Sequence, residues 1–108
     1  MDYHSGGLLM NRIEQVQLYA EAWETWGPQK QIDMLIEEMA ELTQALLKAR
    51  RQGAVFSNDV YGEIAGVGIC MGQVEMEIKR LGFFHLVVTM EERKLQRLKD
   101  RLIREGED

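Results

Sequence analysis

The chain has 108 residues, enough for a single domain, and its 45 % apolar content is that of a folded protein rather than a disordered one. Thirteen Lys and Arg against 18 Asp and Glu leave a formal charge of −5, which argues against a nucleic acid polymer as partner, since a phosphate backbone demands a basic face. The one cysteine, Cys70, allows no intrachain disulfide, and the longest uncharged run, Ile64 to Val74, is too short to span a bilayer.

No basic segment followed by an apolar stretch opens the chain, so the expected location is the cytoplasm. Residues 1–7, with His4, read as a flexible arm. A first helix is expected from about Leu8 to Trp26, where Leu9, Ile13, Val16, Ala20 and Trp23 recur at helical steps. Gly27-Pro28 ends it and opens the next, because proline suits a first helical turn and not an interior. The second helix runs to about Gln52, with Ile32, Leu35, Ile36, Met39, Thr43 and Leu46 as its apolar stripe. Lys48, Arg50 and Arg51 suit the negative end of its dipole, and Gly53 stops it.

After a loop from Gly53 to Asn58, a third helix is expected from about Asp59 to Leu81. Its seam is Val60, Ile64, Val67, Met71, Val74, Ile78 and Leu81, and Gly82 closes it. Phe83 to Val88 read as an apolar connector. Thr89 and Glu92 then form a capping box for a fourth helix with Leu95, Leu98 and Leu102 on its apolar side. Residues 105–108 read as a frayed tail. Four amphipathic helices with short connections predict an all-α fold, a four-helix bundle in one domain over residues 1–108. Apolar faces on every helix, with an apolar connector besides, predict assembly through helices into a homodimer or homotetramer.

Phosphate-loop, zincin and nucleophile-elbow motifs are absent. The chemistry-bearing feature is the run Glu37, Glu38 and Glu41. Glu38 and Glu41 stand one turn apart on one face, and Glu63 lies beside Val60 and Ile64 on the next helix. Two packed helices would bring Glu38, Glu41 and Glu63 to a shared rim. The spacing suits a solvated glutamate face, or a divalent-cation site built from hard oxygen ligands.

The stretch from Trp26 through Pro28, Lys30, Glu37, Glu38 and Glu41 to Leu42, followed by Glu63-Ile-Ala-Gly66, resembles the MazG-like all-α nucleoside triphosphate pyrophosphohydrolases. That superfamily includes the dimeric dUTPases and the phosphoribosyl-ATP pyrophosphohydrolases. Its signature is Glu-x-x-Glu on one helix and Glu-x-x-Asp on the next. Glu38 and Glu41 match the first half and Glu63 opens the second, but Gly66 stands where the family has aspartate. The resemblance implies hydrolysis of a nucleoside triphosphate to the monophosphate and pyrophosphate. It implies Mg²⁺, with Mn²⁺ as a substitute, held by Glu38, Glu41 and Glu63. Glu37, Glu38 or Glu41 would orient the attacking water.

Lys94 and Arg97 match a basic Lys-x-x-Arg region that would touch phosphate, or belong to a charged helix face. Lys30 is a further phosphate candidate, and Trp26 and Tyr19 are candidates to stack on a base. Gly66 itself admits two accounts. Either the site has lost a ligand, leaving a nucleotide- or protein-binding module, or the glycines at 62, 66, 68 and 72 serve close helix approach. On the first account an aspartate at 66 would add a ligand.

Overall fold

The computed structural model describes residues 10–107, and every regular element within them is an α-helix. α1 spans Arg12–Arg51, α2 Asn58–Arg80 and α3 Phe84–Glu107. The all-α expectation is met, but three helices stand where four were expected. The first two expected helices are two arms of α1, parted at Gly27, whose φ of 82° and ψ of 163° break the helical path. That region is open essentially to glycine alone, and Pro28 pushes its predecessor toward extended backbone. The helical path is therefore interrupted at Gly27-Pro28, where the sequence places the end of one helix and the start of the next.

α1 begins at Arg12 because Asn11 caps it. Its Oδ1 accepts the Glu14 N–H at 2.8 Å, and its carbonyl accepts the Gln15 N–H at 3.0 Å. Leu8, Leu9, His4 and the arm 1–7 lie outside the described residues. The helix ends in a Schellman motif. Gly53, at φ 76°, donates to Arg50 O at 3.0 Å and Ala54 donates to Ala49 O at 2.9 Å. α2 opens on Ser57, whose Oγ accepts the Val60 N–H at 3.3 Å.

The chain divides into two compact units, one ending at Met76 and the other beginning at Glu77. In the first, α1 and α2 pack as an antiparallel pair. Ala45 and Ala49 meet Val60, with Leu42 against them. Farther along, Gly66 faces Glu38 and Gly72 faces Tyr19. The buried row on α1 is Gln31, Leu35, Ala45 and Ala49, with Glu38 and Leu42 half-buried. This corrects the expected stripe, of which Leu35 alone is buried. Ile32, Ile36, Met39 and Leu46 are exposed, about 100° around the helix. Small side chains explain the choice, since Ala45 and Ala49 let the helices close on Val60, which is fully buried. On α2, Cys70 and Gln73 are buried, whereas Ile64 and Met71 of the expected seam are exposed. In the first arm Tyr19 is buried and Ile13 and Val16 are exposed.

The second unit holds the end of α2 and all of α3. A second Schellman motif joins them. Gly82, at φ 83°, donates to Lys79 O at 3.0 Å and Phe83 donates to Ile78 O at 3.1 Å. Lys79 Nζ sits 4.6 Å from the centre of the Phe84 ring, a cation–π contact across the turn, and Glu77 pairs with Arg80. α3 therefore starts at Phe84, and the expected Thr89 capping box does not form. Thr89 lies inside the helix and its hydroxyl donates to the His85 carbonyl at 2.9 Å. The three-residue Leu81-Gly82-Phe83 turn leaves no connector to cap. α3 continues through Glu107, over most of the expected frayed tail. Every residue of it from His85 to Gly106 is exposed, including Leu86, Leu95, Leu98 and Leu102. Among the described residues no helix is long and apolar enough to cross a membrane.

Candidate metal centre

Two turns of helix from the Gly53 reversal, the packing of Ala45 and Ala49 on Val60 fixes which side chains cross between α1 and α2. Glu63 stands one turn beyond Val60, and Glu41 one turn before Ala45. Glu38 occupies the buried row itself. One carboxylate oxygen from each of Glu38, Glu41 and Glu63 lies within 4.8 Å of the others. Glu38 and Glu63 are half-buried and Glu41 is exposed.

Gathering three like charges has a visible consequence. The Glu63 carboxyl is held above its ordinary value, first by partial burial and then by the charges of Glu41 and Glu38. Among the described residues no lysine or arginine forms an ion pair with any of the three. The donor set is three hard oxygens from two rigid helices, which suits Mg²⁺ or Mn²⁺ and leaves positions for water and phosphate.

Gly66 sets the inner wall of this group. A Cβ there would overlap Glu38 Oε2 and stand 3.1 Å from its Cδ. Of the two accounts of the α2 glycines, close approach applies at 72, where the Tyr19 ring comes near, and not at 62 or 68, where nothing lies within 4 Å; at 66 the near atoms belong to the end of the Glu38 side chain. An aspartate at 66 would place its Cβ on Glu38 Oε2, so it joins the group only with Glu38 displaced.

Beside the cluster opens a groove of about 400 Å³ lined by Glu41, Gln44, Lys48, Arg51, Asp59 and Glu63, among others. The sequence presents Lys48 and Arg51 only as complements to the helix dipole. They follow Glu41 by seven and ten residues, a helical spacing that puts all three on one side of α1. That spacing is the signal that could have found them. Lys48 Nζ is 3.9 Å from Asp59 Oδ2, a long contact between two exposed side chains that leaves the ammonium open to other anions.

The remaining candidates scatter. Glu37 is exposed, about 100° around α1 from Glu38, and is not in the three-carboxylate group. Lys30 is exposed just after Pro28 and does not line the groove. Tyr19 packs in the core against Gly72 and its hydroxyl accepts from Gln15 Nε2 at 3.1 Å, so a ring this covered offers a base no open face. Trp26 is half exposed and borders a separate hollow of about 370 Å³ with Leu18, Ala22, Thr25 and Gln73. Lys94 and Arg97 stand exposed on α3, in the second unit. The Cys70 thiol is pushed up by burial and then by the Glu38 charge, which leaves it protonated and inert. No protein family, curated protein or solved structure matches this chain.

Proposed function

We propose that this protein is a Mg²⁺-dependent nucleoside triphosphate pyrophosphohydrolase of the MazG-like type. The observation that carries the reading is the meeting of Glu38, Glu41 and Glu63 within 4.8 Å, on two helices and, among the described residues, without an ion-paired lysine or arginine. It agrees with the role that the Glu38-x-x-Glu41 and Glu63 resemblance implies for the same three residues. A divalent ion bound there would offset phosphate charge and lower the pKa of a bound water.

The protein's own part is to hold and to orient. Glu38, Glu41 and Glu63 supply the oxygen ligands. Lys48 and Arg51 hold the phosphate chain in the groove beside them, the arginine by a bidentate grip. One of the glutamates takes the proton of the attacking water. The reaction consumes one water, breaks the anhydride between the α and β phosphoryl groups, and yields a nucleoside monophosphate and pyrophosphate. Trp26 is the ring available to a base. The substrate panel that tests this is a set of canonical and modified nucleoside triphosphates assayed for pyrophosphate release with Mg²⁺ and with Mn²⁺. Release from none of them would reject catalysis.

One observation favours a second reading. Gly66 supplies no ligand where the family has aspartate, which leaves three carboxylates in place of four. A chain that binds metal and triphosphate without turnover would be a nucleotide-binding module of the same fold. Metal-dependent thermal stabilisation by a triphosphate, without pyrophosphate release, identifies that case.

A further inference from the structure

Glycine is among the poorest helix formers, yet α2 keeps one at position 66, half-buried and facing α1. The four glycines at 62, 66, 68 and 72 differ in what they face. A Cβ at 62 or 68 would meet nothing within 4 Å, and one at 72 would meet the Tyr19 ring. At 66 alone the added atom falls on a carboxylate of the candidate metal centre, Glu38, where it would overlap Oε2 and approach Cδ to 3.1 Å and Oε1 to 3.7 Å.

We infer that Gly66 is a positioning residue: its missing side chain is the space through which the Glu38 carboxylate reaches Glu41 and Glu63. The inference rests on the metal reading given above. Glu38 belongs to the buried row of α1, so its carboxylate has to lie across the surface of α2 to join the other two. A side chain on α2 at that point closes the route. Metal sites tolerate displacements of only about half an ångström in their ligands, so a shifted Glu38 removes one of three anchors.

The overlapped atom is the far end of a flexible side chain and not backbone. A methyl group at 66 therefore moves the carboxylate and leaves the helix pair closed. Stability and metal affinity separate. Gly66→Ala raises the helix propensity of α2 while it weakens the cation site. A glycine kept only for close helix packing would behave in the opposite way, losing stability first.

The test measures Mn²⁺ affinity by electron paramagnetic resonance, and metal-free melting temperature, on the full chain. The proteins are the parent, Gly66→Ala, Gly68→Ala, Glu38→Gln and the Gly66→Ala/Glu38→Gln double variant. Gly66→Ala is expected to bind Mn²⁺ about tenfold more weakly than the parent, with a metal-free melting temperature equal or higher. Gly68→Ala is expected to bind as the parent does. In the Glu38→Gln background, Gly66→Ala is expected to have no further effect, because both changes act through one carboxylate. A parent that binds Mn²⁺ and a Gly66→Ala variant that binds it equally well would overturn the inference and leave the metal reading standing. So would an equal further loss in the Glu38→Gln background, or a metal-free melting temperature well below the parent's. A parent that binds no Mn²⁺ would overturn the inference together with the reading it rests on.

Discussion

The ring of Tyr19 lies so close over Gly72 that a Cβ at position 72 would stand 3.0 Å from its Cε2. The contact joins the first arm of α1 to α2, and the ring is anchored by the Gln15 hydrogen bond at 3.1 Å. A rigid, anchored ring gives way poorly. Gly72→Ala is expected to cost about 1 kcal/mol, since the strain of overpacking exceeds the gain in helix propensity. Gly62→Ala and Gly68→Ala, with open space around them, are expected to stabilise by up to about 1 kcal/mol each. Chemical denaturation of the three variants checks both signs together.

The break in α1 rests on Gly27 at φ 82° and ψ 163°. Gly27→Ala forces a side chain into a region that favours glycine alone, at a cost of about 1–3 kcal/mol. The variant is expected to lose Tyr19–Gly72 contact before it loses the Ala45, Ala49 and Val60 core. Hydrogen exchange should show earlier opening of the first arm than of the second. Uniform protection across both would count against an independent first arm.

Glu41→Gln keeps the size of the side chain and removes its charge. The rise in melting temperature on adding Mg²⁺ is expected to collapse in this variant. Lys48→Ala and Arg51→Ala are expected to keep that rise and to weaken triphosphate binding about tenfold, the scale of a hydrogen bond to a charged group. If the lysine and arginine variants bound a triphosphate like the parent, the groove would not be the phosphate site.

The Glu63 carboxyl is held above its ordinary value of 4.5 by partial burial and by Glu41 and Glu38. In the metal-free protein the folded state thus holds more protons than the unfolded chain above that ordinary value. Stability from this group is present at acid pH and is lost as pH rises through the raised value. A divalent cation competes with the same proton. Stabilisation by Mg²⁺ is therefore expected to be small at acid pH and to grow as pH rises through that range, and thermal melts across a pH series read it directly. A Mg²⁺ effect that is flat with pH would place the ion elsewhere.

Ile32, Ile36, Met39 and Leu46 on α1 and Leu86, Leu95, Leu98 and Leu102 on α3 are all exposed in the single chain. Apolar stripes of this length are expected to be covered by a second copy, giving a dimer or tetramer. Light scattering at micromolar concentration tests it, and a monomer would refute it.

Local chemistry made much of this protein legible in its sequence. Gly27-Pro28, Gly53 and Gly82 declare breaks because only glycine takes positive φ cheaply and proline cannot sit inside a helix. The helical period of the apolar residues announced an all-α chain, and the three-residue step from Glu38 to Glu41 put both on one face. Which face turns inward was decided elsewhere. α1 carries apolar residues on two sides, so periodicity named the richer one, Ile32 to Leu46, while the pair of helices closed on the smaller residues Ala45 and Ala49 against Val60. Hydrophobicity counts favour bulk, whereas close packing favours fit. The same choice brought Glu63 to Glu38 and Glu41, set Lys48 and Arg51 beside them, and aimed Glu38 at Gly66. Contacts between residues on different helices depend on how the two helices meet, and no single helix encodes that in its own spacing.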